Sequence, residues 1–218
     1  MTPNLITLTA PGSPAAEAYR GLRLNLMAAG REAPLCTVLV APAGPAPDKA
    51  ASVANLAVAF AQVGKRVILV DCDLRHPAQH ALFGLPNNGG LAAAVKGNVG
   101  AAPLQETGIA NLRLLVAGPP VEAPGDLLAS PQMARLIAQL AGEAEIVLFD
   151  APPVTVAPDA VELAAQVDGV LLTITAGTTK RDEARQAKEV LDRIGARVVG
   201  AALLNVAGSS TTRKYLAA

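Results

Sequence analysis

Six short apolar runs recur along the chain, at residues 36–41, 66–71, 112–116, 146–150, 169–175 and 198–204. Each is nearly continuous in apolar residues rather than alternating, as in strands buried on both faces of a parallel sheet. Segments with apolar residues at helical spacing separate most of them. Residues 50–63 place Val53, Leu56, Ala57 and Phe60 on one stripe, and 130–140 and 182–193 repeat the pattern. This alternation predicts βαβ units with right-handed crossovers in one doubly wound, mainly parallel α/β sheet. Such sheets bind ligands beyond the carboxyl ends of their strands.

A further helix is predicted over 13–27, ahead of the first strand, with Ser13 as N-cap and Pro14 in the first turn. Residues 1–30 then read as an N-terminal arm, and the polar stretch 207–218 as a flexible tail on a single domain spanning 1–218. The Pro- and Gly-rich stretch 117–125 reads as a long surface loop. The 218 residues are 51% hydrophobic, enough for a sizeable core. Eighteen basic residues balance eighteen acidic ones, so no nucleic-acid partner is expected from overall charge. Aromatic residues make up only 2% with no Trp, which argues against a base-stacking platform. Cys36 and Cys72 sit in or beside apolar runs and read as buried, inert thiols of a reducing compartment. The first residues lack the basic and long apolar regions of a secretory signal, and no apolar stretch reaches the length of a membrane span. A cytoplasmic protein is expected.

Three strand ends carry candidate chemistry. The first strand runs through Pro42-Ala43-Gly44-Pro45-Ala46-Pro47-Asp48-Lys49 into a helix. Strand, loop, lysine and helix follow in the order of a phosphate-binding loop. A Pro-rich turn with a surface lysine has the same order, and the segment alone does not choose between them. The second strand ends in Asp71-Cys72-Asp73, where alternation would bring both carboxylates to one side. Such a pair suits Mg²⁺ coordination or a general base, although acidic strand ends are common. Asp150, before Ala151-Pro152-Pro153, has the place of a metal-supporting carboxylate. Three such ends in this order say more than any one. His76 and His80, four apart, are a weaker metal candidate with no second ligand pair nearby.

Longer stretches carry a resemblance. Glu17, Arg20 and Arg23 fit an E-x-x-R-x-x-R helix, and Asn55-Leu56-Ala57 the helix after the loop. Val70-Asp71-Cys72-Asp73-Leu74-Arg75-His76-Pro77, with His80 and Phe83, fits a second motif, and Asp150-Ala151-Pro152-Pro153-Val154 with Asp159 a third. In this order the chain resembles, from about Ser13 to Asn205, the bacterial tyrosine kinases (BY-kinases) of capsule and exopolysaccharide synthesis. These are relatives of the partition-type P-loop ATPases. The resemblance implies a P-loop fold that binds ATP and Mg²⁺. It makes Lys49, Asp71 and Asp73 the catalytic set, with Lys49 on phosphate and Asp71 as base for a tyrosine hydroxyl. It puts Lys49, Ala50, Ala51 and Asn205 at the nucleotide, Asn205 near adenine, and Asp73 and Asp150 at Mg²⁺. It assigns Glu17, Arg20 and Arg23 to contacts in a ring-like homo-oligomer, and Tyr215 to a tail phosphoacceptor. The partners implied are a second copy or an active kinase paralogue, and the tail of a membrane polysaccharide co-polymerase that would recruit the chain to the inner face of the membrane.

The loop departs from the family's P-G-E-G-K-[ST]-[ST], of which Pro45 and Lys49 survive. Ala46 replaces a glycine that lets the backbone approach phosphate. Pro47 removes an amide donor. Asp48 adds a like charge, which at about 4 Å costs roughly 4 kcal/mol at an effective dielectric near 20. Ala50 lacks the hydroxyl that reaches Mg²⁺. About 4 kcal/mol alone takes a micromolar dissociation constant to roughly millimolar. Two readings follow: a regulatory or scaffolding subunit with impaired ATP binding, and an active ATP-dependent tyrosine autokinase with an unusual loop. A partition-type ATPase fits less well, because the Glu17–Arg23 pattern and the 71–83 segment follow the kinases.

Overall fold

The apolar runs become strands of one sheet in the structure, a computed structural model that describes residues 3–97 and 101–206. In chain order, α1 (Ile6–Thr9) and α2 (Pro14–Glu32) precede β1 (Thr37–Pro42), which leads to α3 (Lys49–Ala61) and β2 (Val67–Asp71). Then follow α4 (Gln79–Phe83), α5 (Gly90–Lys96), β3 (Gln105–Glu106) and β4 (Leu112–Leu115). The chain continues through α6 (Pro124–Leu128), α7 (Pro131–Glu143), β5 (Ile146–Asp150), α8 (Pro158–Ala164), β6 (Gly169–Thr175), α9 (Arg181–Arg193) and β7 (Val198–Leu204). The strand order is β3-β4-β2-β5-β1-β6-β7, and all pairs are parallel except β3 with β4. The mainly parallel, doubly wound P-loop architecture therefore stands.

Alternation along the strands divides the core. Leu39 and Ala41 face one layer with Ile68, Val70, Phe149, Leu128, Met133 and Leu163. Val38 and Val40 face the other, against Val53, Leu56 and Phe60 of α3 and Leu26 of α2. Full burial of each large aliphatic side chain is worth about 1.5–3 kcal/mol. The expectation of double burial fails at β7, where Leu203 is 59% exposed. As the last strand it has a neighbour on one edge only. Two-residue, polar β3 carries no apolar run to betray it. The stretch 117–125 is more than surface loop: Ala117 is buried and accepts the Ala92 N–H at 3.1 Å, and Pro124 opens α6. Gly90 makes this approach feasible. Its φ is +72°, and an added Cβ would lie 2.2 Å from the Val116 carbonyl oxygen. Cys72 is fully buried, whereas Cys36 is only half-buried.

The arm helix runs past its expected end, to Glu32, and Ser13 caps it by accepting the Ala16 N–H at 3.2 Å. Arg23 of α2 is buried, and one of its guanidinium N–H groups donates to the Ala59 carbonyl near the end of α3 at 2.9 Å. That carbonyl belongs to the last helical turn, where backbone acceptors lack intrahelical partners. The tail 207–218, with Tyr215, lies outside the described residues. Among the described residues no helix is long and apolar enough to cross a membrane. Arg23→Ala should cost about 1–3 kcal/mol by stranding a buried acceptor. Thermal denaturation should show a fall of about 2–4 °C per kcal/mol, and an unchanged midpoint would show the contact to be idle.

Candidate active site

The three central strands β2, β5 and β1 are neighbours, so their carboxyl ends bring the three motifs together. Asp71 and Asp150 are direct register partners across β2 and β5. Both are buried, as is Asp73 two residues beyond Asp71. Lys49, the first residue of α3, reaches over the strand ends from the β1 side. Its Nζ lies 2.9 Å from Asp73 Oδ2 and 3.1 Å from Asp150 Oδ1. Asp71 takes no part in this grip. Its Oδ2 accepts the backbone N–H groups of Ala78 and Gln79, each at 3.0 Å, and its Oδ1 accepts the Asp73 N–H at 3.3 Å.

Three buried carboxylates thus stand around one ammonium that grips two of them, and the proton balance follows. Burial alone would pull the Lys49 ammonium below its usual pKa, but Asp150 and Asp73 outweigh it and hold the group higher. Burial raises Asp150, against the downward pull of Lys49 and Gln79. Burial and the facing Asp150 push Asp71 up to about 7, although the two backbone donors oppose this.

The loop before Lys49 does not form an anion cradle. Pro45 and Pro47 have no N–H, and the Lys49 N–H points back to the Ala46 carbonyl at 3.4 Å. Asp48 is exposed at the mouth, and Asn205 Nδ2 donates to its Oδ2 at 3.4 Å. Asn205 follows β7 at φ +57°, a left-handed conformation that Asn tolerates. The group implied near adenine is therefore engaged by the replaced loop residue. A second carboxylate stands close by: a Cβ added to Gly44 would lie 2.9 Å from Glu183 Oε2, at the start of α9. Ala50 and Ala51 bring methyl groups and no hydroxyl to the first turn of α3.

These residues do not fit a Mg²⁺-bound triphosphate. The ammonium of Lys49 lies on the carboxylate oxygens that would support the ion, the loop offers it no hydroxyl, and the carboxylates of Asp48 and Glu183 stand beside the loop. His76 and His80 do not share a helix. His76 precedes α4 and donates its backbone N–H to Asp73 Oδ1 at 3.0 Å, while His80 lies within α4. No group of three or more His, Cys, Asp or Glu is arranged for a metal among the described residues.

The arm residues are placed separately from this cluster. Glu17 and Arg20 pair with each other on the half-exposed face of α2, whereas Arg23 turns inward. Two interactions escaped the sequence reading. Arg75 makes a two-pronged contact with buried Asp159, at 2.8 and 3.0 Å, tying the loop after β2 to α8. Gln79 donates to both Ala50 and Asp150. Nothing in the spacing around an uncharged Gln announces such a role.

No family model matches the chain. Tyrosine-protein kinase YwqD of Bacillus subtilis is 36% identical over 202 residues, covering 92% of this chain and 85% of its own length. This chain belongs to the bacterial tyrosine-kinase family. The putative tyrosine-protein kinase CapB of Staphylococcus aureus is 34% identical, over 88% of this chain and 85% of CapB. The kinase domain of the Escherichia coli tyrosine kinase ETK superposes with a TM-score of 0.91 at 25% identity, covering 97% of this chain and 83% of that one. Membership of the BY-kinase family makes the altered loop a departure within a kinase fold, and not a sign of another fold.

The raised pKa of Asp71 has a measurable consequence. An acid whose folded pKa exceeds its unfolded value binds protons on folding, so its contribution favours the folded state at low pH and is lost as pH rises toward about 7. Asp71→Asn keeps an acceptor oxygen for the two N–H groups and removes the charge. It should raise the thermal midpoint at pH 8, with a smaller gain at pH 5, because the loss sets in above the unfolded value of 3.8 and is complete near 7. A midpoint lowered equally at both pH values would contradict this.

Proposed function

We propose that this chain is a regulatory or scaffolding subunit of a capsule or exopolysaccharide assembly system, a BY-kinase relative with impaired ATP binding. The observation that carries the reading is the loop: Pro47 removes an amide donor, Asp48 adds a negative charge, and Lys49 is closed onto Asp73 and Asp150. A triphosphate would have to draw the ammonium away from two buried carboxylates while meeting Asp48 and Glu183. Retention of the family's strand-end acids supports descent from a working kinase. On this reading Lys49 neutralises Asp73 and Asp150 within the fold, and ATP and Mg²⁺ are not resident ligands.

One observation favours the other reading, an active tyrosine autokinase. Asp71, with a pKa near 7, is suited to accept a proton at neutral pH, as a base for a tyrosine hydroxyl must. A base without a bound phosphoryl donor does nothing, so the loop weighs more. The expected partners are an active kinase paralogue or a second copy, and the cytoplasmic tail of a membrane co-polymerase that would hold this chain at the inner membrane face. Glu17 and Arg20, half-exposed on α2, are available for subunit contact.

Isothermal titration with Mg·ATP should show no binding at micromolar nucleotide. The combined variant Ala46→Gly, Pro47→Glu, Asp48→Gly and Ala50→Ser should bind at least about 100-fold more tightly, the equivalent of about 2.8 kcal/mol. Micromolar binding by the unaltered chain would overturn the reading. For assembly, light scattering should show a species larger than a dimer that Arg20→Ala reduces. A monomer at high micromolar concentration would leave Glu17 and Arg20 as surface charge.

A further inference from the structure

Gln79 is fully buried, yet it bears a polar side chain and lies outside the acidic motifs. Its Nε2 donates to Asp150 Oδ2 at 2.7 Å and to the Ala50 carbonyl at 3.0 Å. Its backbone N–H donates to Asp71 Oδ2 at 3.0 Å. One residue therefore touches the ends of β2 and β5 and the first turn of α3. Both side-chain partners are acceptors, so the amide must present its NH₂ to them. Reversed, it would set oxygen against a carboxylate and a carbonyl. The cost of this orientation is visible: Oε1 is buried without a partner. A core position that needed only volume would be filled more favourably by Leu or Met.

The division of labour on Asp150 is equally definite. Gln79 occupies Oδ2, while Oδ1 faces Lys49. The link to Ala50 fixes the turn of α3 from which Lys49 projects, so both ends of the ion pair are held from one amide. We propose that Gln79 is a positioning residue, which clamps Asp150 and the start of α3 together so that Asp150 Oδ1 and Asp73 hold Lys49 closed over the strand ends. It acts through Asp150 and Lys49 and need touch no ligand. The proposal rests on the closed-site reading above, but its test requires no nucleotide.

The test is competitive acetylation of the folded chain in EDTA, with Lys49 and half-exposed Lys65, which pairs with Glu145, quantified on peptides by mass spectrometry. Acylation needs an amine that the reagent can reach, and Lys49 is bound to two carboxylates on a side chain only 12% exposed, against 39% and one carboxylate for Lys65. In the unaltered chain Lys49 should react at least about tenfold more slowly than Lys65. In Gln79→Met it should approach the Lys65 rate, with Lys65 unchanged. Leu140→Ala, a core truncation in α7, lowers stability without touching the clamp and should leave Lys49 slow. Lys49 that is already fast in the unaltered chain, still slow in folded Gln79→Met, or equally released by Leu140→Ala overturns the proposal. Should Gln79→Met not fold, NMR of the unaltered chain decides. The Gln79 side-chain NH₂ should exchange with solvent at least about tenfold more slowly than that of exposed Gln132, and equal exchange overturns the clamp. Tight ATP binding in the titration above would remove the closed-site reading and leave these nucleotide-free rates intact, so the two failures are distinguishable.

Discussion

Two carboxylates buried at neighbouring strand ends must each find a positive partner, and one ammonium serves both. Lys49 can do so because β1 lies beside β5, and β5 beside β2, so that α3 starts directly above the acids. Removing a partner from a buried ion pair costs far more than an exposed pair ever contributes. The third acid, Asp71, makes no direct contact with the ammonium and relies on three backbone N–H groups and a raised proton affinity. Geometry and charge at the site are thus set by a shortage of cations.

That shortage gives the altered loop its meaning. A phosphate-binding loop supplies positive ends of N–H dipoles in excess, and a triphosphate with its metal completes the balance. Here the loop supplies fewer donors and more negative charge. Pro47 removes an amide, Asp48 engages Asn205, and Glu183 leans on Gly44. Lys49 is left to neutralise the chain's own carboxylates. A kinase fold can persist in this form because its stability comes from the two apolar layers of the sheet, which the loop does not enter.

Much of this was legible in the residues. The central strands announce themselves as unbroken apolar runs because both their faces are covered, and Asp71, Asp73, Asp150 and Lys49 lie at strand and helix ends where sequence order alone puts them together. The half-exposed β7 and the two-residue β3 were less legible, since exposure at a sheet edge and brief antiparallel pairing leave no periodicity. Arg23 looked like its neighbours Glu17 and Arg20, and only the course of α3 turns it inward. Gln79 and the Arg75–Asp159 pair depend on contacts between residues 29 to 84 positions apart, which local pattern does not encode.

The most direct measurement is a crystal structure of the chain grown with millimolar Mg·ATP. The account requires Lys49 Nζ to remain within hydrogen-bonding distance of Asp73 and Asp150, with no ordered triphosphate above the loop. An ordered nucleotide there, with Lys49 swung onto its phosphates and Mg²⁺ between the two carboxylates, would contradict it.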